Sequence, residues 1–236
     1  YLNGRTPNPC VRCNSFVKWD AFIDQADMLG AKYIATGHYA NIYQNNGSVY
    51  LKKGADPLKD QSYVLWGIPA HTLSRTLFPL GGYTKNKVRE IARENELETA
   101  NIPESMEICF VADNNYKRFL KDYIPEKMEA VGEGDIVDET GETVGTHNGY
   151  PNYTIGQRKG LGLSNLEPRY VTQIEPDGNQ IVIGKKESLY ENTCNMSRVN
   201  WLVKHMDFPC EVEAQIRYNS PVVPADIKKN DSDFEI

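Results

Sequence analysis

A chain of 236 residues with 40% apolar side chains can bury a core, which excludes a disordered tail. No run approaches the roughly 18 consecutive apolar residues a membrane span requires. The opening Tyr1-Leu2-Asn3-Gly4-Arg5 lacks the basic-then-apolar order of a secretion signal. The expectation is therefore a cytoplasmic protein without a membrane partner. With 26 basic against 32 acidic residues and a net charge of -6, the chain lacks the basic footprint of a nucleic-acid-coating protein. Any RNA contact must use local patches. Five cysteines, an odd number, fit reduced thiols with individual roles better than a disulfide scaffold.

In chain order, Asn14-Ser15 can cap a helix whose apolar positions Phe16, Trp19, Ile23, Ala26 and Leu29 recur at helical spacing, with Gly30 as its stop. Tyr33-Ile34-Ala35-Thr36-Gly37 then reads as a buried strand ending in glycine. Helix, strand and glycine turn predict a parallel α/β sheet, whose ligands gather at the strands' carboxyl ends, where His38 would sit. Asn45-Asn46-Gly47-Ser48 between Ile42-Tyr43 and Val49-Tyr50-Leu51 predicts a hairpin. A helix follows Thr84 with Val88, Ile91, Ala92 and Leu97 inward, and another runs from about Asn115 to Tyr123, ending near Pro125. From Gly132 onward, short alternating runs separated by Glu139-Thr140-Gly141, His147-Asn148-Gly149 and Pro176-Asp177-Gly178-Asn179 predict β-strands and tight turns. A further β segment includes Glu211 to Tyr218. The fold class is thus α/β plus β, with divisions at 1–128, 129–190 and 191–236.

The sharpest local feature is Asn8-Pro9-Cys10-Val11-Arg12-Cys13-Asn14. Half of a zinc site is one reading, but Cys194 and Cys210 form no second knuckle. A thioredoxin-like redox pair is another, although no thioredoxin pattern follows. The third is a nucleophilic thiol activated by a helix N-terminus. Cys109, within Glu104-Ser105-Met106-Glu107-Ile108-Cys109-Phe110-Val111, reads in isolation as a buried core thiol.

Five motifs change this picture. Gly4-Arg5-Thr6-Pro7-Asn8-Pro9 before a Cys-Asn, Thr36-Gly37-His38-Tyr39-Ala40, Lys59-Asp60-Gln61-Ser62-Tyr63, Ile108-Cys109-Phe110-Val111 and Tyr153-Thr154-Ile155-Gly156-Gln157-Arg158-Lys159-Gly160-Leu161-Gly162 occur in one order. In these motifs and their order the chain resembles the tRNA-specific 2-thiouridylases. The resemblance implies an adenine-nucleotide α-hydrolase-like parallel-sheet domain, a small β-rich central domain and a partial C-terminal β-barrel.

It further implies that Cys13 is the nucleophilic or disulfide-forming cysteine and Cys109 the persulfide carrier. Asn8, Pro9 and Cys10 would meet the target base. Gly37 would touch ATP, with magnesium as counter-ion. His38, Lys59, Asp60, Gln61, Arg217 and Tyr218 match tRNA-contacting positions, and the Gln157, Arg158 and Lys159 loop is a further tRNA contact. The partners implied are a tRNA with a modifiable wobble uridine and a persulfide-donor protein. Many members carry Asp where Cys10 stands; an iron–sulfur cluster on Cys10, Cys13 and Cys109 is the alternative this raises. The family's Ser-Gly-Gly-x-Asp-Ser phosphate loop has no counterpart in the sequence. The chain is therefore expected to be a portion of a longer protein, inactive toward ATP alone, and to stop before the barrel is complete. Alternatives to catalysis by this portion are a tRNA-docking piece or a metal-binding domain on Cys10 and Cys13.

Overall fold

The computed structural model describes residues 1–102, 108–111, 113, 115–163, 167–203, 206–218, 220–230 and 233–236. The chain folds into two compact units, each built from two stretches: Tyr1–Asn8 with Ser105–Asn192, and Pro9–Glu104 with Thr193–Ile236.

In the second of these units, helix α1 (Pro9–Cys13) runs without a break into a π-helical segment (Asn14–Ala21) and then α2 (Phe22–Met28). The helical run thus begins five residues before the expected Asn14-Ser15 cap, because proline suits the first helical position, where its missing N–H costs nothing. Asn14 is interior instead: it is 2% exposed and its Nδ2 donates to the Val64 carbonyl at 3.0 Å. The i→i+5 winding of the π segment rotates side chains off the α-helical register. Trp19 and Ala26 remain buried, but Phe16, expected inside, is 53% exposed. Leu29, also expected inside, stands at the C-cap and is 83% exposed. Gly30 ends the run at φ +67, with the Gly30 and Ala31 amides donating to the Asp27 and Ala26 carbonyls in a Schellman arrangement.

Strand β1 (Ile34–Ala35) follows, and β2 (Ala40–Asn45) with β3 (Ser48–Lys53) forms the expected hairpin. Its turn residues Asn46 and Gly47 both have positive φ, as a tight primed turn requires. A 3₁₀ turn (Ser62–Leu65) and α3 (Ala70–Leu73) lead to β4 (Thr76–Leu77), which pairs with β1 in parallel. Helix α4 (Lys85–Glu94) is capped by the Thr84 hydroxyl, which accepts from the Lys87 amide at 3.3 Å. Val88, Ile91 and Ala92 are half-buried as expected, whereas Leu97 lies past the helix end and faces solvent. Trp19, Ala26, Ile34, Ala40, Leu65, Ile68 and Leu73 form the core.

In the other unit, Asn115 caps α5 (Tyr116–Tyr123) by accepting from the Arg118 amide at 3.0 Å. Pro125 opens a second helix, α6 (Pro125–Val131), instead of closing the first, again as a first-position proline. A four-stranded sheet follows in the order β6 (Thr143–His147), β5 (Gly134–Asp138), β8 (Gln180–Gly184), β7 (Tyr170–Glu175), with β5 and β8 parallel and the other pairs antiparallel. Ile136, Tyr150, Tyr153, Leu161, Val171, Ile181 and Ile183 fill its core. The first residues belong to this unit: the Tyr150 hydroxyl donates to the Leu2 carbonyl at 2.8 Å, and Tyr1 stacks on Tyr116 at 5.1 Å.

The last stretch adds to the unit of α1 an antiparallel sheet of β9 (Asn195–Met196), β10 (Cys210–Ala214), β11 (Val223–Asn230) and β12 (Asp233–Glu235), in the order β10-β11-β12-β9. The expected strand through Tyr218 ends at Ala214, where a turn begins. Among the described residues, no helix is long and apolar enough to cross a membrane.

Candidate functional site

Cys13 is the last residue of α1 and half-buried; Cys10, one residue after Pro9, is exposed. Cys13 therefore lies within the helical run, not ahead of it as the activated-nucleophile reading expected. The helix is held by the residues that follow: Asn14 bonds Val64, and a Cβ added to Gly67 would stand 2.3 Å from Ser15 Oγ. Glycine at 67 is thus what lets the chain after the 3₁₀ turn close on the thiol helix.

That 3₁₀ turn continues from Lys59-Asp60-Gln61. The Asp60 carboxylate accepts from the Gly54 amide at 2.8 Å, the Ser62 amide at 3.2 Å and the Ser62 hydroxyl at 2.7 Å. Gln61 clamps Tyr39, accepting its amide at 3.0 Å and donating its own amide to the Tyr39 carbonyl at 2.8 Å. Asp60 and Gln61 thereby fix the backbone, and Lys59 is half-buried at its start. The Tyr63 hydroxyl donates to the Ile216 carbonyl at 3.0 Å, and its ring lies 6.3 Å from that of Tyr218. Arg217 and Tyr218, exposed on the turn after β10, are thus brought to the end of this segment.

Beyond β1 a cleft of ≈ 330 Å³ is lined by Lys18, Phe22, Thr36, Gly37, His38 and Gln61. His38 is 9% exposed, with Nδ1 2.9 Å from the Thr36 hydroxyl and Nε2 3.3 Å from Lys18 Nζ. Burial first, and the Lys18 charge second, push its pKa down to about 4, so the imidazole is neutral at pH 7. A charged Lys18 can only donate, which assigns the lone pair to Nε2 and the proton to Nδ1. Trp19 packs 5.3 Å from this ring and donates to Thr76 Oγ1 at 2.9 Å, tying the imidazole to β4.

The other unit holds the remaining residues. Asn8 is exposed. Cys109 is exposed on the turn closed by the Val111 amide and Ile108 carbonyl at 2.9 Å, so it is no core thiol. The preceding Glu104–Glu107 segment lies outside the described residues. Gln157 pins its loop, accepting from the Thr154 amide at 3.2 Å and donating to the Lys159 carbonyl at 3.0 Å, while Arg158 and Lys159 project to solvent. The Thr6 hydroxyl bonds that of Thr154 at 3.0 Å, joining the first motif to the last.

Sequence reasoning missed Asn14, Lys18 and Tyr63. Tyr63 sat inside a quoted motif; Asn14 and Lys18 are placed by the π winding, which has no sequence signal comparable to a cap. Among the described residues, no three His, Cys, Asp or Glu side chains converge as metal ligands, and the iron–sulfur alternative rests on the sequence alone.

Comparison with known proteins follows these motifs. The family model of the tRNA methyl transferase HUP domain matches residues 1–113, and that of the tRNA methyl transferase PRC-barrel domain matches 117–185. The tRNA-specific 2-thiouridylase MnmA of Chlorobium phaeobacteroides is 48% identical over 228 residues, covering 96% of this chain and 64% of the relative. Its counterpart from Salinibacter ruber is 51% identical over 224 residues, covering 93% and 58%, and that of Amoebophilus asiaticus 46% over 234 residues, covering 98% and 62%. The chain spans about three-fifths of the length of these curated relatives. With identity of 46 to 51% over 93 to 98% of its length, and with both domain models matched, the chain belongs to the tRNA-specific 2-thiouridylase family.

Proposed function

We propose that this protein carries out ATP-dependent sulfur transfer to the 2-position of the wobble uridine of tRNA. The observation that carries the reading is identity of 46 to 51% with 2-thiouridylases over 93 to 98% of the chain. Although the matching domain models are named for methyl transfer, two accessible thiols, Cys13 and Cys109, favour sulfur chemistry.

In this reading the uridine 2-oxygen displaces pyrophosphate from ATP and so becomes a leaving group as AMP. The terminal sulfur of a Cys109 persulfide attacks C2 and AMP departs. The Cys13 thiolate then attacks the Cys109 sulfur, breaking the sulfur–sulfur bond and leaving the thiocarbonyl on the base. The product is a Cys13–Cys109 disulfide, which a dithiol reductant reopens before a donor protein reloads Cys109. Gly37 suits the nucleotide: a Cβ there would meet only Leu80 Cδ1 at 3.6 Å, so nothing among the described residues demands glycine. Close approach of a ligand to bare backbone does. Asn8, Pro9 and Cys10 meet the target base, which leaves its stack to reach the thiols. His38, Lys59, Asp60, Gln61, Arg217 and Tyr218 line the tRNA path, and Gln157 sets the loop that presents Arg158 and Lys159. By role, residues 1–128 are catalytic, 129–190 bind tRNA and 191–236 belong to a β-barrel. By packing, the helices after residue 115 join the central sheet, as when Tyr116 bonds the Asn152 carbonyl at 2.9 Å.

The test is 2-thiouridine formation, read by mass spectrometry with ATP, tRNA and a persulfide donor. Cys13→Ser and Cys109→Ser are each expected to lower the rate on the order of 10³-fold or more, since a nucleophile acts as part of a unit. Cys194→Ser and Cys210→Ser are expected to leave it near wild type. Thiolation that survives Cys109→Ser sinks the mechanism.

A further inference from the structure

Lys18 has no part in the scheme above, and its surroundings are unusual for a lysine. It is half-buried, its Nζ lies 3.3 Å from His38 Nε2, and no carboxylate pairs with it among the described residues. An ammonium partnered by a neutral imidazole has lost hydration without gaining a counter-charge. Such a cation facing a cleft is completed by an anion that enters from solvent.

The cleft fits one. Lys18 shares its ≈ 330 Å³ with the bare backbone of Gly37 and the Thr36 and Gln61 side chains, and among the described residues no carboxylate lines it. It opens beyond the carboxyl end of β1, where parallel α/β sheets hold their ligands. Lys18 follows Cys13 by five positions, and the intervening segment is π-helical, so i→i+5 winding sets the two on one face of the helix. A regular α-helix would turn them apart. The nearby imidazole acts as a fixed acceptor: Thr36 anchors its Nδ1 side, and Nε2 holds the ammonium toward the cleft.

We propose that Lys18 is the phosphate-binding cation of this cleft, taking a phosphoryl oxygen of a nucleotide that lies along the Gly37 backbone. The proposal rests on the sulfur-transfer reading only for the supply of a nucleotide. Lysine serves phosphate as a compact point charge, and a fixed neutral acceptor orients it without competing for the charge. A phosphodiester of RNA carries the same chemistry, but a concave cleft at a strand end suits a terminal nucleotide group better than a continuous backbone.

Equilibrium binding of ATP, inorganic pyrophosphate and unmodified tRNA, measured on the full-length protein with the family's phosphate loop and on its Lys18→Met and Lys18→Arg variants, tests this. Lys18→Met is expected to weaken ATP and pyrophosphate at least about tenfold, the usual loss for a charge-assisted hydrogen bond. Lys18→Arg should restore most of it, and tRNA affinity should change less than threefold. In parallel, pyrophosphate added to wild type should shift the His38 Nε2 nitrogen resonance, which decides the matter even if Lys18→Met loses its fold. The proposal is overturned by a silent His38, by unchanged ATP affinity in a folded Lys18→Met, or by a loss confined to tRNA. Lys18-dependent nucleotide binding in a protein that never thiolates tRNA would keep the phosphate site and remove the sulfur-transfer reading.

Discussion

His38 shows how one buried side chain couples the site to pH. Its folded pKa of about 4 lies below the ordinary value of 6.5, so the unfolded chain takes up this proton first as pH falls. The contribution is intact above 6.5, shrinks as pH drops, and is gone below about 4, a change of roughly 3 kcal/mol at most. Urea unfolding at pH 7 and pH 4.5 should therefore show a smaller acid loss in His38→Gln than in wild type. Equal losses would mean that the imidazole is not held neutral. Burial also lowers the His147 pKa, and the difference between the two proteins removes that contribution. At this scale the sequence spoke unevenly. Cys109 sits between Ile108 and Phe110, and its neighbours suggested a core thiol; the turn that exposes it depends on backbone bonding that apolar composition does not report. Asp60 and Gln61 were singled out only as matches to tRNA-contacting positions, yet their side chains close the chain back on Gly54 and Tyr39.

Among the elements, those specified locally were legible. Asn46-Gly47, Thr84 and Asn115 each set a turn or a helix start through their own side chain or φ, and the structure has them there. Elements defined by distant partners were not. The strand expected over Tyr33–Gly37 is present as β1, but its parallel partner β4 lies 42 positions on, and no window of sequence displays that pairing. The π winding likewise moved Phe16 out of an inward face that α-helical spacing had assigned to it. A close approach holds the hairpin: a Cβ on Gly81 would fall 1.8 Å from the Ala40 carbonyl oxygen, while Gly82 has nothing within 4 Å. Gly81→Ala should therefore cost about 3 kcal/mol or more, or prevent folding, and Gly82→Ala should stay within about 0.5 kcal/mol. Thermal melts of the pair decide it; matching melting temperatures would show that β2 can shift away from residue 81.

For the whole molecule, a net charge of -6 means that tRNA must be met by chosen groups against general repulsion. Arg158 and Lys159 are exposed on a loop whose shape Gln157 fixes, so removing both should weaken tRNA binding and lower the salt slope by about 1 per lost phosphate contact. An unchanged slope, read from titrations across salt, would place the RNA elsewhere. The family was legible in the five motifs, while the interleaving of the two units was not, because divisions read at 128/129 and 190/191 say nothing of the first eight residues packing with the central sheet. That interleaving gives the first motif two birth dates. Its Asn14 end finds Val64 after 50 more residues have been made, but Leu2 and Thr6 must wait 148 for Tyr150 and Thr154. At the usual pace of synthesis the second wait is roughly 7–30 s. On the ribosome, then, the thiol-bearing end of the motif can settle while the residues leading into it are still waiting for partners.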